Sequence, residues 1–197
     1  MSESTMDPTS YRPAAGAADA PPEQLAYVVA FDRAAKQSDA MTVVDVDPAS
    51  GSYGRVVGWT EVPALGNELH HFGWNACSSA LKHEGHSMDG LSRRYLLVPG
   101  LRSSNIYVFD TGPDPRQPSL VKTIDSHELS AKAGYSRPHT LHCGPDGVFM
   151  TWRATTTGPA GSRCSTTRRS TSCAPGRRTA DPSISTTTPG GTSIRTC

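Results

Sequence analysis

The chain changes character at Trp152, and only one side of that divide can build a core. From Trp152 to Cys197 there are 46 residues, among them 12 Thr, 7 Ser and 7 Arg, and no Leu, Val, Phe, Tyr, Met or Lys. Ordering a residue's backbone costs roughly 1–2 kcal/mol, and this stretch has almost no apolar surface to offset that cost. Residues 152–197 are therefore expected to be a disordered tail. Seven Arg against one Asp give the tail a charge of +6, which leaves −5 on the other 151 residues of a chain with net charge +1. At the other end, residues 1–23 are rich in Pro and Ala, contain acids, and have neither a basic start nor an apolar stretch. They read as a disordered lead-in and not as a signal peptide. The folded body is expected to span residues 24–151.

Within the body the pattern is β. LAYVVAF (Leu25 to Phe31), MTVVDVD (Met41 to Asp47), RVVGWTEV (Arg55 to Val62), RYLLV (Arg94 to Val98), NIYVFD (Asn105 to Asp110), SLVKTI (Ser119 to Ile124) and GVFMT (Gly147 to Thr151) are short runs rich in β-branched and aromatic residues. Gly, Pro, Asp or Ser bound each one. A helical turn or two is expected only near Ser126 to Lys132. No run of eighteen apolar residues exists, so no membrane-spanning helix is expected.

The order of strands and turns repeats. VVDVDPASGSYGRVV (Val43 to Val57) and YVFDTGPDPRQPSLVKTI (Tyr107 to Ile124) share one grammar: an apolar strand ending in Asp, a Pro/Gly turn, then a second strand. Asp47 and Asp110 take equivalent places in this reading. ELHHFGWNAC (from Glu68) follows the first unit and RPHTLHCGPDG (from Arg137) the second, with His70 and His139 69 residues apart. A unit of short antiparallel strands recurring every 60–70 residues suggests propeller blades, with Leu81 to Ser92 as an insertion loop. The fold class is thus all-β: a partial β-propeller of about two to three blades.

All seven histidines lie in the body. His70 and His71 open one expected inner strand, and His139 and His142 the corresponding strand a blade later. Inner strands line a propeller's channel, so these imidazoles would converge as a metal site requires. Spacing alone leaves Cu, Zn, Fe and Ni open, along with plain hydrogen-bonded histidines. Neighbours on a flat strand face opposite ways, so His70 and His71 would not both ligate without a bulge. His83 and His86 form a second HxxH within KHEGHSMDG, which reads as a solvated loop. Cys77 and Cys143 are the body's two thiols, with no CxxC, which suits a reducing, cytoplasmic compartment. Each is either an inert buried thiol or a soft ligand for Cu(I) or selenium. Trp59 and Trp74 read as packing residues, and Gly144-Pro145-Asp146-Gly147 as a tight turn. Phosphate loops, nucleophile elbows and dinucleotide fingerprints are absent.

NELHHFGWNACSS (Asn67 to Ser79), TVVDVDP (from Thr42), NIYVFDTG (from Asn105) and PHTLHC (from Pro138) together resemble the selenium-binding protein family, also called methanethiol oxidases. The likeness runs from about Leu25 to Thr151. It implies a seven-bladed propeller of which this chain carries the N-terminal third. It also implies copper, with His70, His71, His139 and His142 as candidate ligands, and oxidation of methanethiol by O2 and water to formaldehyde, H2S and H2O2. A chain short of most blades is expected to be inactive. The alternative is a non-enzymatic propeller that binds selenium or partner proteins. No nucleic-acid partner is implied, the oligomeric state stays open, and a periplasmic location stands beside the cytoplasmic one. The family's selenium-linked cysteine position is Gly54 here, so ligation through it does not carry over.

The tail also fits a shifted reading frame. Taking the third base of each codon with the first two of the next, Thr186 to Ser193 permits Tyr-Asp-Ala-Trp-Trp-His-Leu. In the same frame Gly161 to Ser165, with the first two bases of the next codon, permits Ile-Ala-Val-Leu-Asp. One shift serving both stretches points to a frameshift near Thr151 or Trp152. The alternative is a natural Thr/Ser/Arg-rich arm.

Overall fold

The computed structural model describes residues 21–76, 93–133, 136–144, 147–152 and 194–196. Three sheets follow one another along the chain, the first two of them antiparallel meanders. The first sheet orders β1 (Leu25–Ala30), β2 (Ser38–Asp45) and β3 (Val56–Leu65) side by side. The second orders β4 (Gly73–Trp74), β5 (Tyr95–Pro99), β6 (Ile106–Asp110) and β7 (Ser119–Ile124). Helix α1 (Ser126–Ala133) leads into the third, where β8 (Pro138–Gly144) pairs with β9 (Gly147–Trp152). A short β10 (Ile194–Thr196) lies parallel to β9.

The sheets stack face to face, as successive propeller blades do. Side chains alternate across a strand, and β5 and β6 bury both of their faces. Leu96, Val98, Tyr107 and Phe109 pack with Met41, Val62 and Leu69 on the side of the first sheet. Tyr95, Leu97, Ile106 and Val108 pack with Ile124, Leu129, Leu141, Val148 and Met150 toward the third. Burial on both faces is why YLLV and IYVF read as unbroken apolar runs and not as alternating ones.

The repeat shows in the backbone with a period of 69 residues. Ala35 and Ser104 hold φ of 55° and 62°, and Glu68 and Arg137 hold 54° and 56°. Within each pair the members stand 69 positions apart, in the left-handed region that non-glycine residues seldom adopt. The strand pairing carries the repeat with one shortening: Ala30 lies opposite Ala40 in the first sheet and Pro99 opposite Ile106 in the second, so the second hairpin is three residues shorter and the offset falls from 69 to 66 beyond it.

Several boundaries differ from the sequence reading. β2 ends at Asp45, a fully buried carboxylate, while Asp47 lies beyond it and accepts the Ala49 N–H in the turn. Asp45, not Asp47, therefore closes the strand as Asp110 closes β6. β3 runs on through Pro63 to Leu65, which a sheet-edge strand permits. β9 includes Trp152, and β10 lies inside the stretch expected to be disordered; parallel pairing with β9 supplies its backbone partners. The rest of the tail, most of the N-terminal lead-in and the Leu81 to Ser92 insertion lie outside the described residues.

Close packing joins the first sheet to the β6–β7 turn. Arg116 reaches Asp45 at 3.2 Å, Thr60 Oγ1 donates to Pro118 O, and Tyr27 Oη donates to Pro115 O. Gly58 lies so near the turn that a Cβ built on it would stand 1.8 Å from Arg116 O.

Candidate metal centre

At the inner edge of the second sheet the chain passes through Leu69, bridged to Gly100, and His70 N donates to Pro99 O at 2.8 Å. The next blade enters on β8, whose Leu141 N donates to His71 O at 3.3 Å. Two inner segments from successive blades thus lie side by side. Gly73 of β4 fits against Leu141, where a Cβ would come to 3.3 Å from its carbonyl oxygen.

Three imidazoles meet at this seam. The rings of His70 and His71 stack at 4.3 Å with an interplanar angle of 18°. His139 sets its ring edgewise to both, at 4.5 Å from His70 and 4.9 Å from His71. His70 Nε2 and His139 Nε2 are 3.1 Å apart, and one nitrogen from each ring lies within 4.8 Å of the others. His70 and His139 are half-buried and His71 is exposed. Thr140 Oγ1 lies 2.7 Å from His139 Nδ1 and 3.4 Å from His71 Nδ1, so one hydroxyl touches two of the three rings.

The expectation that His70 and His71 point to opposite faces does not hold. Both precede β4, outside any regular strand pairing, and they follow Glu68 at φ 54°, so strand alternation does not govern them. His142 does not join the cluster. It is exposed on β8, three residues beyond His139 and past the irregularity in register between Pro138 and Thr140.

The other candidates fall elsewhere. Cys77, His83 and His86 lie outside the described residues; Cys143 has its backbone in β8, and its side chain is not among those described. His127 is exposed on α1. Trp74 packs edgewise on Tyr27 at 5.3 Å under the Arg93 guanidinium, and Trp59 is half-exposed against Gln117. Gly54 sits at φ 74° in the β2–β3 turn, where a cysteine would be strained.

Beneath the histidines lies a buried polar layer that the sequence reading missed. Asp39, Asn67 and Tyr107 are fully buried. Tyr107 Oη donates to Asn67 Oδ1 at 2.6 Å, and burial pushes the phenol's pKa up, keeping it a donor. Asp39 Oδ2 accepts the Leu69 N–H at 3.1 Å, one residue before His70. An isolated Asp opening an apolar strand was the only signal available.

Comparison with known proteins follows the same segments. The family model described as 56kDa selenium binding protein (SBP56) matches residues 4–165, wider at both ends than Leu25 to Thr151. Selenium-binding protein 1 of Arabidopsis thaliana is 42% identical over 132 residues, covering 66% of this chain and 26% of the relative. The protein named methanethiol oxidase of Mus musculus is also 42% identical over 132 residues, covering 66% and 27%. The X-ray structure of a hypothetical selenium-binding protein from Sulfolobus tokodaii superposes with a TM-score of 0.69 at 47% identity, covering 74% of this chain and 32% of that one. The chain spans about a quarter of the length of these curated relatives.

Proposed function

Because the chain belongs to the 56 kDa selenium-binding protein family, we propose that His70, His71 and His139 are its share of a copper site serving methanethiol oxidation. The observation that carries this reading is the 3.1 Å separation of the His70 and His139 Nε2 atoms. Two nitrogens bound to one ion at roughly 2.0–2.1 Å, with an angle near 100° between the bonds, lie about 3.1 Å apart, so the pair fits a shared ion. Three imidazoles are also the donor set that suits copper.

Copper held there would supply electron exchange between a thiol and O2. The chain's own residues do the rest. With the Thr140 hydroxyl 2.7 Å from His139 Nδ1 as its hydrogen-bond partner, Nε2 is the His139 nitrogen that would be left to ligate. The half-buried faces of His70 and His139 limit water at their nitrogens, while exposed His71 marks the side from which a small thiol arrives. The overall reaction balances as methanethiol, O2 and H2O giving formaldehyde, H2S and H2O2. Turnover is assigned to the longer relatives' architecture, and this chain is expected to bind copper without releasing H2S.

The test is copper retained after dialysis of the 197-residue chain, with H2S release measured alongside. The reading expects up to one copper per chain, lost when His70, His71 and His139 are all replaced by Ala. A wild-type chain holding no more copper than that triple variant would defeat it. The same reading takes the tail as translated out of frame; DNA sequence across codons 145 to 160 tests this, and an intact frame removes it. Among the described residues no helix is long and apolar enough to cross a membrane.

A further inference from the structure

We propose that Asp39 is a positioning residue for the histidine cluster, its buried carboxylate setting the entry of the His70 segment through the Leu69 N–H. The effect on metal affinity rests on the copper reading above; the effect on the His70 ring does not. Asp39 is the second residue of β2 and fully buried. Its Oδ2 accepts from Leu69 N at 3.1 Å and its Oδ1 from Asp32 N at 3.2 Å. A buried N–H without an acceptor is strongly disfavoured, so Leu69 stays where the carboxylate is. Leu69 lies between Glu68, at φ 54°, and His70, so whatever holds Leu69 also aims the ring that follows. The carboxylate belongs to the first sheet and His70 leads into the second. Asp39 is therefore a strut across the seam.

The next seam supplies an internal comparison. The registers that align Ala40 with Ile106 also align Asp39 with Asn105, and the 69-residue period aligns Leu69 with Pro138. Proline has no N–H to satisfy. Asn105 is engaged elsewhere: its Oδ1 accepts from Ser126 N and its Nδ2 donates to Tyr107 Oη. An acid stands where an N–H must be accepted, and an amide where there is none. At position 39 an amide would turn its NH2 toward one of two N–H donors.

The experiment uses the full 197-residue chain. Long-range 1H–15N spectra of the histidine rings are recorded without metal, and Cu(II) affinity is measured by titration. Asp39→Asn is expected to shift the His70 ring nitrogens and to weaken Cu(II) binding at least about tenfold, the usual scale for losing an outer-shell support. The double variant Asp39→Asn/Leu69→Pro, which copies the Asn105/Pro138 pairing, is expected to return both readouts toward wild type. Unmoved His70 resonances with affinity unchanged in Asp39→Asn would overturn the proposal, whatever happens to thermal stability. Should the wild type take up no Cu(II), the copper reading fails, and the His70 resonances alone decide the role of Asp39. If the single variant does not fold, recovery of folding in the double variant supports the coupling of Asp39 to the Leu69 N–H, and no recovery counts against it.

Discussion

Glu68 and Arg137 adopt the same left-handed backbone, φ 54° and 56°, each two residues ahead of a histidine of the cluster. Neither is a glycine, so both seams hold a conformation that costs an L-residue roughly 1–2 kcal/mol. The reversal lets each inner segment turn inward after the loop from the preceding blade. Arg137 N is fixed by Ser104 Oγ at 2.9 Å, and Glu68 pairs with Arg102 at 3.1 Å.

Relief of that strain is measurable at Arg137, whose side chain is exposed. Arg137→Gly should leave stability unchanged or raise it by up to about 1 kcal/mol, whereas Arg137→Val should lower it, because a β-branched residue fits φ > 0 worst. Urea unfolding of the two variants checks the order. A glycine variant less stable than the valine one would contradict it.

Metal affinity should separate the four candidate histidines. His139→Ala should weaken copper binding about a hundredfold or more, since it deletes the nitrogen 3.1 Å from His70. His142→Ala, on an exposed position outside the cluster, should change affinity less than about twofold. Competition titration against a copper chelator reads both. Equal losses would return His142 to the ligand set.

Acid should loosen the first two sheets. Hydrogen bonds from the Ser52 and Ser50 hydroxyls, with Arg116 beside them, hold the Asp45 carboxyl well below the usual carboxylate range. The Arg94 guanidinium does the same for Asp110, with bonds of 2.6 Å to each oxygen. Both native pKa values lie below the unfolded value of 3.8. Their stabilisation is therefore present above that pH and is lost as pH falls toward the native values. Stability of the wild type should drop more steeply than that of Asp45→Asn/Asp110→Asn between about pH 5 and pH 3. Parallel curves in urea titrations would remove these two carboxylates as the cause.

The seam at Gly58 should tolerate no side chain. Its missing Cβ is replaced by the Arg116 carbonyl, and both are backbone-anchored. Gly58→Ala should cost about 3 kcal/mol, the upper range for overpacking, and should part Arg116 from Asp45. Gly51→Ala, in the open β2–β3 turn with nothing within 4 Å of its added Cβ, is the control. Equal stabilities for the two variants would refute the close approach.

The strands were legible because their signals are local. Runs rich in β-branched and aromatic residues, bounded by turn residues, marked β1, β5, β6 and β7 to within a residue or two, and Ser126 to Lys132 marked α1. The 69-residue spacing of His70 and His139 was equally visible, since a repeated unit writes its period into the chain. The membership of the cluster was not. His71 and His142 look alike as neighbours of a candidate ligand, yet one joins the cluster and the other faces solvent. That choice depends on local backbone departures, the left-handed Glu68 ahead of His70 and His71 and the register shift between Pro138 and Thr140 ahead of His142.

Asp39 marks the same division more sharply. Residue order along the chain settles where strands begin, which faces are apolar and that a Thr/Ser/Arg tail has too little apolar surface to build a core. Which side chains meet depends on backbone reversals and on contacts between segments 30 or 69 residues apart, such as Asp39 with Leu69 and His70 with His139. Direction in space belongs to the packed sheets, because a nitrogen finds its partner only after both strands have been placed.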